Sequence, residues 1–247
     1  MALVDSMEKE GNWLFRHRGE LPIVLFASAI PIIWLTDYND NGPNTDQIFL
    51  FLSLFLSLSG FLIRAYTIGT TPAGTSGRNT EGQVAEALNF KGIYSIVRHP
   101  LYLGNYLYWI GIVLYTQNIY YTIIVSLAFW VYYERIMFAE ERYLERKFGD
   151  IYMNWSAKVG AFLPSFGKYE KGDVSFSLRA VLRREYPGFI SAVVAFTFVE
   201  ALKNYSSSKQ YILSTTSLAI LFFSGGIATL LSLINNNTNW LKQKGRS

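Results

Sequence analysis

Six apolar runs, separated by polar segments, constrain the fold of this chain more than any other feature. They cover residues 21–35, 47–66, 101–115, 119–138, 187–202 and 211–234. A helix needs ~20 mostly apolar residues to cross the hydrocarbon core of a bilayer. In lipid, only helices and closed barrels satisfy all of their backbone hydrogen bonds. The pattern therefore predicts an all-α, polytopic integral membrane protein with about six transmembrane helices.

The composition excludes several kinds of site. The chain is 51% hydrophobic and only 16% charged, against roughly 25% charged residues in an average globular domain. It contains no cysteine, so disulfides, thiolate nucleophiles, cysteine-ligated zinc and iron–sulfur clusters are excluded. The two histidines are too few for a histidine-rich metal site. We therefore predict no metal.

The basic residues indicate how the chain is oriented. When six spans alternate across the bilayer, Lys203 and Lys209 are the only two of the 22 lysines and arginines on the side opposite the N-terminus. Cytoplasmic loops carry the excess of such residues. We expect both termini to be cytoplasmic, in the plasma (inner) membrane if the source is prokaryotic. The net charge of +4 is explained by this orientation, and no nucleic-acid partner is predicted.

A motif at the start of the third apolar run and a second motif after the fourth indicate a ligand site. Pro100 can begin a helix because its missing N–H is not needed there. Arg98 and His99 then lie at a helix start, which favours an anion. The runs form a helical hairpin over about 101–138, which brings the acidic Glu140–Glu141 back to the same cytoplasmic face. A site with a positive end, a negative end and aromatic walls suits a zwitterion such as S-adenosylmethionine.

The two motifs together carry a resemblance to a known family. Arg-His-Pro-x-Tyr-x-Gly at 98–104, followed by Glu-Glu-x-x-Leu-x-x-x-Phe-Gly-x-x-Tyr at 140–152, resembles the integral-membrane methyltransferase superfamily. This superfamily includes isoprenylcysteine carboxyl methyltransferases and phospholipid methyltransferases. The likeness covers about 92–164.

The resemblance implies that S-adenosylmethionine binds between the motifs. The implied cofactor-binding residues are Tyr94, Arg98, His99, Pro100, Leu101, Tyr102, Gly104, Glu140 and Glu141. The isoprenylcysteine branch places a substrate-contacting arginine near Arg135, so Arg135 is a candidate for substrate binding and catalysis, and His99 is a second catalytic candidate.

Other interpretations remain open at several of these positions. His99 could cap a helix, Glu141 could lie on an ordinary solvated helix face, and Gly104 could only permit helix contact. Tyr94 and Tyr102 could belong to an interfacial aromatic belt.

Three regions follow from these observations. Residues 1–90 contain the N-terminal membrane helices and a polar Gly-rich loop, where Arg78 is a candidate substrate contact if the loop cradles a phosphate. A solvated connector is the alternative for this loop. Residues 91–165 hold the motifs, and 166–247 a basic amphipathic segment and two membrane helices. Arg64, at the end of the second run, is expected to snorkel to the interface.

The predicted function is S-adenosylmethionine-dependent methyl transfer to a membrane lipid or lipidated acceptor. An anionic oxygen, carboxylate or phosphate, is favoured because it needs no general base, whereas an amine must be deprotonated and His99 is the neutral base at hand. One alternative is a phospholipid amine N-methyltransferase. Another is an NADPH-dependent membrane reductase of the sterol reductase type, which the His-Pro pair disfavours, and a third is a non-catalytic membrane protein. No obligatory protein partner is evident beyond the bilayer itself.

Overall fold

The structure, a computed structural model, describes residues 2–38, 42–72, 83, 85–243 and 245–246. In this part of the chain the regular structure is helical, and the all-α prediction is confirmed. The α-helices are α1 (Leu3–Arg16), α2 (Leu21–Leu35), α3 (Pro43–Thr70), α4 (Pro100–Leu114), α5 (Ile119–Phe148), α6 (Asp150–Ser156), α7 (Leu178–Ser208) and α8 (Thr215–Asn237). Single 3₁₀ turns lie at Ile93–Ser95 and Phe166–Lys168.

Within these residues, four helices are long and apolar enough to cross a membrane. They are Asn44–Thr70, Ile119–Phe148, Leu178–Ser208 and Thr215–Asn237. The shorter apolar helices α2 and α4, each of 15 residues, account for the rest of the predicted number, so the prediction of about six spans is approximate.

Helix α7 differs from the sequence-based expectation of a separate basic segment followed by a span. It runs without interruption through Pro187, from a cap at Ser177 whose Oγ accepts a hydrogen bond from Ala180 N. Proline is tolerated in membrane helices because other groups can bond the backbone oxygens that it releases. The basic residues at 179–184 therefore form the first turns of the span itself.

Glycines allow α3 and α4 to cross at close range. A Cβ at Gly60 would lie 2.5 Å from the Gly104 carbonyl oxygen, and one at Gly111 would lie 2.5 Å from the Ser53 oxygen. Real Cβ atoms do not approach backbone that closely. Small residues at such crossings let membrane helices pack by van der Waals contact. The contact places the end of α3, with Arg64, directly beside the first turns of α4.

The predicted hairpin is present as α4 and α5. Gln117 takes a left-handed conformation in the turn (φ 60°), and the Asn118 side chain caps α5 by accepting a hydrogen bond from Tyr121 N at 2.9 Å. A helix of 30 residues is about 45 Å long, more than the ~30 Å hydrocarbon core. The last turns of α5 can therefore extend out of the lipid, up to Gly149, where a positive φ of 51° ends the helix.

Helix α1 packs along these last turns of α5. Gly11 brings the two backbones together, since a Cβ there would collide with the Arg135 carbonyl oxygen. Glu8 accepts two hydrogen bonds from the Arg146 guanidinium, the longer at 3.0 Å. The residues that follow α1 are thereby held next to the end of the hairpin.

Candidate functional site

The first motif is held by its backbone as well as by its helix. Arg98 N donates to the Gly160 carbonyl at 2.9 Å, and His99 N donates to the Ala161 carbonyl at 3.1 Å. Pro100 is the first residue of α4, as predicted, and is almost fully buried. Two backbone hydrogen bonds and the following proline therefore fix the backbone from which the His99 side chain extends.

The two motifs meet at His99. Its Nε2 lies 2.9 Å from Glu141 Oε1, and its Nδ1 lies 3.5 Å from Glu140 Oε2. The other oxygen of Glu141 lies 3.2 Å from Arg98 Nη1. The predicted meeting of the motifs is confirmed. Glu141 is not on an ordinary solvated face, because it binds both cations of the first motif.

The surroundings of His99 determine its protonation state. A neutral imidazole has only one N–H donor, whereas both ring nitrogens here face carboxylates, so the geometry fits the doubly protonated ring. Burial alone lowers the pKa of His99, but the hydrogen bonds and charges of Glu140 and Glu141 outweigh it and raise the pKa above its usual value of 6.5. His99 is the N-cap residue of α4 by position, but its side chain makes no capping hydrogen bond. The ring instead joins the start of α4 to α5 through contacts at both of its nitrogens.

A cavity of about 300 Å³ opens beside this cluster, at the lower end of the roughly 300–1,000 Å³ found for ligand pockets. Of the predicted residues, Tyr94, Arg98, His99, Pro100, Leu101, Tyr102 and Glu140 line it. Further residues line it that the sequence did not single out: Phe15, Arg18, Arg64, Ile68, Gln83, Ala85, Ala87, Leu88, Asn89, Asn105, Tyr143, Leu144, Tyr152, Trp155, Arg184 and Glu185.

The other predicted residues lie elsewhere. Gly104 faces α3, where its Cβ would lie 2.6 Å from Arg64 Cγ, so it permits helix contact. Arg135 does not line the cavity; its Nε lies 3.4 Å from Glu10 Oε2 on α1. This geometry does not support the predicted contact of Arg135 with substrate. Arg78 and its Gly-rich loop lie outside the described residues.

An ion pair between membrane helices lines the cavity. Arg64 donates from Nε and Nη2 to the two oxygens of Glu185, at 2.8 and 2.7 Å, and from Nη1 to Asn105 Oδ1. Asn105 in turn donates to the Tyr133 hydroxyl at 3.2 Å. Arg64 therefore turns inward to a buried carboxylate, and the expected snorkelling is wrong. Ionisable residues inside membrane segments are costly and mark functional sites by default.

Aromatic rings form much of the wall. Tyr102 stacks on His99 with ring centroids 5.6 Å apart, and Tyr133 packs against Tyr102 at 4.8 Å. The backbone carbonyl of Tyr94 accepts a hydrogen bond from Trp155 Nε1 at 3.2 Å. Burial raises the pKa of the Tyr94 hydroxyl to about 12, so that it stays neutral. Tyr94 and Tyr102 are wall residues of a cavity and not members of an interfacial belt.

The residues present fit S-adenosylmethionine. Glu140 offers a carboxylate to an ammonium, the cations at the start of α4 suit a carboxylate, and the faces of Tyr102 and Trp155 suit a sulfonium or an adenine. Asn89 Nδ2 is buried and has no hydrogen-bond partner among the described residues, which leaves a donor for a polar ligand. No group of three or more histidine, cysteine or acidic side chains in the described part of the chain could hold a metal ion.

Comparison with known proteins gives a family match that includes this site and several relatives of similar sequence. Residues 48–151 match the phospholipid methyltransferase family. Protein-S-isoprenylcysteine O-methyltransferase of Schizosaccharomyces pombe is 30% identical over 122 residues, 47% of this chain and 52% of the yeast protein. A cobalt-zinc-cadmium resistance protein of Cupriavidus metallidurans is 31% identical over 88 residues, 36% of this chain and 40% of that protein.

A nickel-cobalt-cadmium resistance protein of Alcaligenes xylosoxydans xylosoxydans is 30% identical over 112 residues, 43% of this chain and 52% of that protein. The chain thus spans about half the length of the relatives it matches, and no solved structure matches it. The family match, which spans both His99 and Glu140, and the similarity to the yeast protein confirm the resemblance to the integral-membrane methyltransferase superfamily.

Proposed function

We propose that this protein transfers a methyl group from S-adenosylmethionine to a membrane-embedded lipid or lipidated acceptor, with preference for an anionic oxygen. The observation that carries the proposal is the contact of His99 with Glu141, at 2.9 Å from Nε2, and with Glu140, at 3.5 Å from Nδ1, at the edge of a cavity of ligand size. Residues from both motifs of a methyltransferase family thereby share one site.

The cofactor, when bound, supplies a methyl group on a cationic sulfur, which passes to the acceptor oxygen and leaves a neutral thioether and a methyl ester. The protein's own part is to position and to exclude water. Glu140 would hold the ammonium and Arg98 the carboxylate of the amino-acid end. The stack of Tyr102 on His99 fixes the wall between the two motifs.

Two observations support an anionic acceptor. First, the described lining contains four arginines and His99, against Glu140 and Glu185. A cavity with this excess of basic side chains attracts anions. Second, both ring nitrogens of His99 face protein carboxylates, so neither is directed at an acceptor amine as a base. A carboxylate or phosphate oxygen can attack without losing a proton, whereas an amine cannot.

The family description favours a second candidate, N-methylation of a phospholipid amine, because the matched family is named for phospholipid methyl transfer. The two candidates give different products. A carboxyl methyl ester is cleaved by mild alkali, whereas an N-methyl group and a methyl phosphate are not, and these two differ in head-group mass and fragmentation. Incubation with methyl-labelled cofactor and membrane lipid extract, followed by alkali treatment and lipid mass spectrometry, separates them.

The cofactor itself is tested first. The S-adenosylhomocysteine product is titrated into the detergent-purified full chain by calorimetry, with Glu140→Gln as the test variant. Glu134→Gln is the matched control, since Glu134 is exposed on the same helix and does not line the cavity. We expect the wild type and the control to bind alike and Glu140→Gln to lose about tenfold in affinity, because a charge-assisted hydrogen bond is removed. No binding by the wild type, with NADPH binding instead, would refute the proposal in favour of a reductase.

We propose further that the site and both termini face the cytoplasm, on the distribution of lysine and arginine described above. Cysteine introduced at Ser6, in the cysteine-free chain, should react with a membrane-impermeant maleimide only in inverted vesicles. Reaction in right-side-out vesicles would reverse the orientation.

A further inference from the structure

The cavity wall contains a side-chain amide whose donor makes no hydrogen bond within the described part of the protein. This is Asn89, which lines the cavity just before the first motif and whose Nδ2 is buried without a partner among the described residues. We infer that the Asn89 amide binds the polar edge of the cofactor's adenine and so recognises the base. The inference rests on the proposed function and deepens it, because it assigns one part of the cofactor to a residue outside both motifs.

The segment that carries Asn89 is held on both sides of this residue. On the N-terminal side, the Gln83 amide contacts Asn12 Oδ1 on α1 at 3.3 Å. On the C-terminal side, Gly92 N donates to the Glu170 carbonyl at 2.8 Å. The residues between these two contacts therefore form a supported part of the cavity wall.

The two other side-chain amides of the described wall already have partners in the protein. Asn105 donates to the Tyr133 hydroxyl at 3.2 Å and accepts from Arg64 Nη1. Gln83 contacts α1, as described above. Asn89 Nδ2 has no such partner among the described residues. A buried donor without an acceptor is unfavourable, and a ligand that accepts from it removes this cost.

A carboxamide presents a donor and an acceptor side by side, unlike the other polar groups of the wall. The arginines, Arg184 included, carry donors only, an ionised carboxylate only accepts, and each tyrosine offers a single hydroxyl. Adenine presents its N6 amino group as a donor beside N7 as an acceptor, and asparagine pairs with both atoms in nucleic-acid recognition. The Asn89 amide therefore complements the edge of this neutral base.

The neighbours of Asn89 suit the flat faces of a base. Ala85 and Leu88 of the same segment add apolar groups to the cavity wall. Trp155 adds a large ring, held by the hydrogen bond from its Nε1 to the Tyr94 carbonyl. Bases stack on such rings. The torsion that turns an asparagine amide is soft, so Nδ2 can rotate to a ligand without the loss of a protein hydrogen bond.

The test compares two ligands by calorimetry on the detergent-purified full chain. One is S-adenosylhomocysteine, and the other is its analogue with an unsubstituted purine, in which hydrogen replaces the N6 amino group. The variants are Asn89→Leu, Asn89→Ala and Asn154→Leu. Asn154 is the matched control, since it is exposed on α6 and does not line the cavity. The melting temperature of each protein without ligand shows whether its fold is intact.

We expect the analogue to bind the wild type and Asn154→Leu about tenfold more weakly than S-adenosylhomocysteine does, which corresponds to about 1.4 kcal/mol. Both Asn89 variants should lose at least tenfold in affinity for S-adenosylhomocysteine. They should bind the two ligands alike, because the group that distinguishes the ligands is gone. Without ligand, Asn89→Leu should melt no lower than the wild type, since Nδ2 has no protein hydrogen bond to lose.

Four results would overturn the inference. Equal binding of the two ligands by the wild type would show that the N6 amino group is not recognised. A preference for S-adenosylhomocysteine that persists in both Asn89 variants would assign N6 to another group. The same losses in Asn154→Leu would indicate a general change in the protein, and lower melting temperatures of both Asn89 variants would make Asn89 a structural residue.

These results leave the proposed function intact, since each of them is compatible with binding of S-adenosylhomocysteine by the wild type. A wild type that binds neither ligand would instead refute the proposed function, and the role of Asn89 with it.

Discussion

Helices α3 and α7 are joined by an ion pair near each end, and the two pairs differ in what surrounds them. Eighteen residues separate the partners on each helix, from 46 to 64 on α3 and from 185 to 203 on α7. Arg64 and Glu185 meet at one end, and Asp46 and Lys203 meet at the other, with Nζ and Oδ1 3.7 Å apart. The signs are reversed, since the cation lies on α3 at one end and on α7 at the other. A rise of 1.5 Å per residue puts the pairs about 27 Å apart along the helices.

The surroundings show that one ion pair belongs to the candidate site and that the other only joins the two helices. Glu185 is 4% exposed at its side chain, Arg64 contacts it at two points, and both line the cavity. Asp46 is 56% exposed, and Lys203 lies over the rings of Tyr38 and Tyr115, 5.3 and 4.7 Å from their centroids. The same two helices thus carry a buried pair beside a cavity and a half-exposed pair between aromatic rings. The two ion pairs connect the same helices, so their position alone does not distinguish them. They differ in burial and in whether a cavity adjoins them.

The largest effect should come from breaking the buried pair. Arg64→Leu leaves the Glu185 carboxylate buried without its partner, which costs about 3–5 kcal/mol of unfolding free energy. Thermal unfolding in detergent measures the loss, and calorimetry with S-adenosylhomocysteine shows whether the cavity survives. The charge-swapped double variant, Arg64→Glu with Glu185→Arg, is the control and should recover part of the stability. If Arg64→Leu lowers the unfolding free energy no more than a change of Lys203 does, the two ion pairs do not differ in their contribution to stability.

An intermediate effect should appear with pH, because a histidine lies beside the cavity and none among the described residues lies at the Lys203 end. The pKa of His99 is raised in the folded protein, so its contribution to stability is fully present below the usual value of 6.5. It is lost as the pH rises through the raised pKa, by about 1.4 kcal/mol for each unit of the increase. Melting temperatures should therefore fall as the pH rises above 6.5 in the wild type and less so in His99→Asn. Parallel pH profiles for the two proteins would show that His99 does not carry the effect.

The smallest effect is expected at the other end. Lys203→Met replaces a cation packed between tyrosine rings by a side chain of similar length, and Asp46 remains largely in solvent. Such half-exposed ion pairs contribute about 0–1 kcal/mol to the unfolding free energy. The unfolding free energy should change by no more than this amount, with unchanged affinity for S-adenosylhomocysteine. A reduced affinity would mean that the distal pair is coupled to the site.

The sequence was sufficient for those parts of the site that depend on local pattern. Pro100 could be identified as a helix start from its chemistry alone, and the short polar gap between two apolar runs indicated the hairpin that brings Glu140 to His99. These features depend on neighbours along the chain, and the apolar runs determined the class of fold. The start of α7 was less accessible, because charged residues extend this helix well before its apolar run.

Partners distant in the chain could not be predicted. Arg64 and Glu185 are separated by 121 positions, and nothing in either local stretch indicates the other. From the sequence alone, Arg64 was therefore predicted to lie at the membrane surface. Arg18 stands in a polar segment with nothing to show that α1 packs against α5. A charged residue inside or next to an apolar run is the one available signal for such pairs.

The backbone support of the first motif also has a consequence for how the protein is made. Arg98 and His99 hydrogen-bond to the carbonyls of Gly160 and Ala161, which leave the ribosome more than sixty residues later. A nascent chain that ends at the last turn of α5 already contains the whole hairpin with His99, Glu140 and Glu141. It still lacks the segment that holds the histidine backbone in place, and it lacks α7, which adds Arg184 and Glu185 to the cavity wall. The candidate site is therefore completed late in translation, after α3, α4 and α5 have been made.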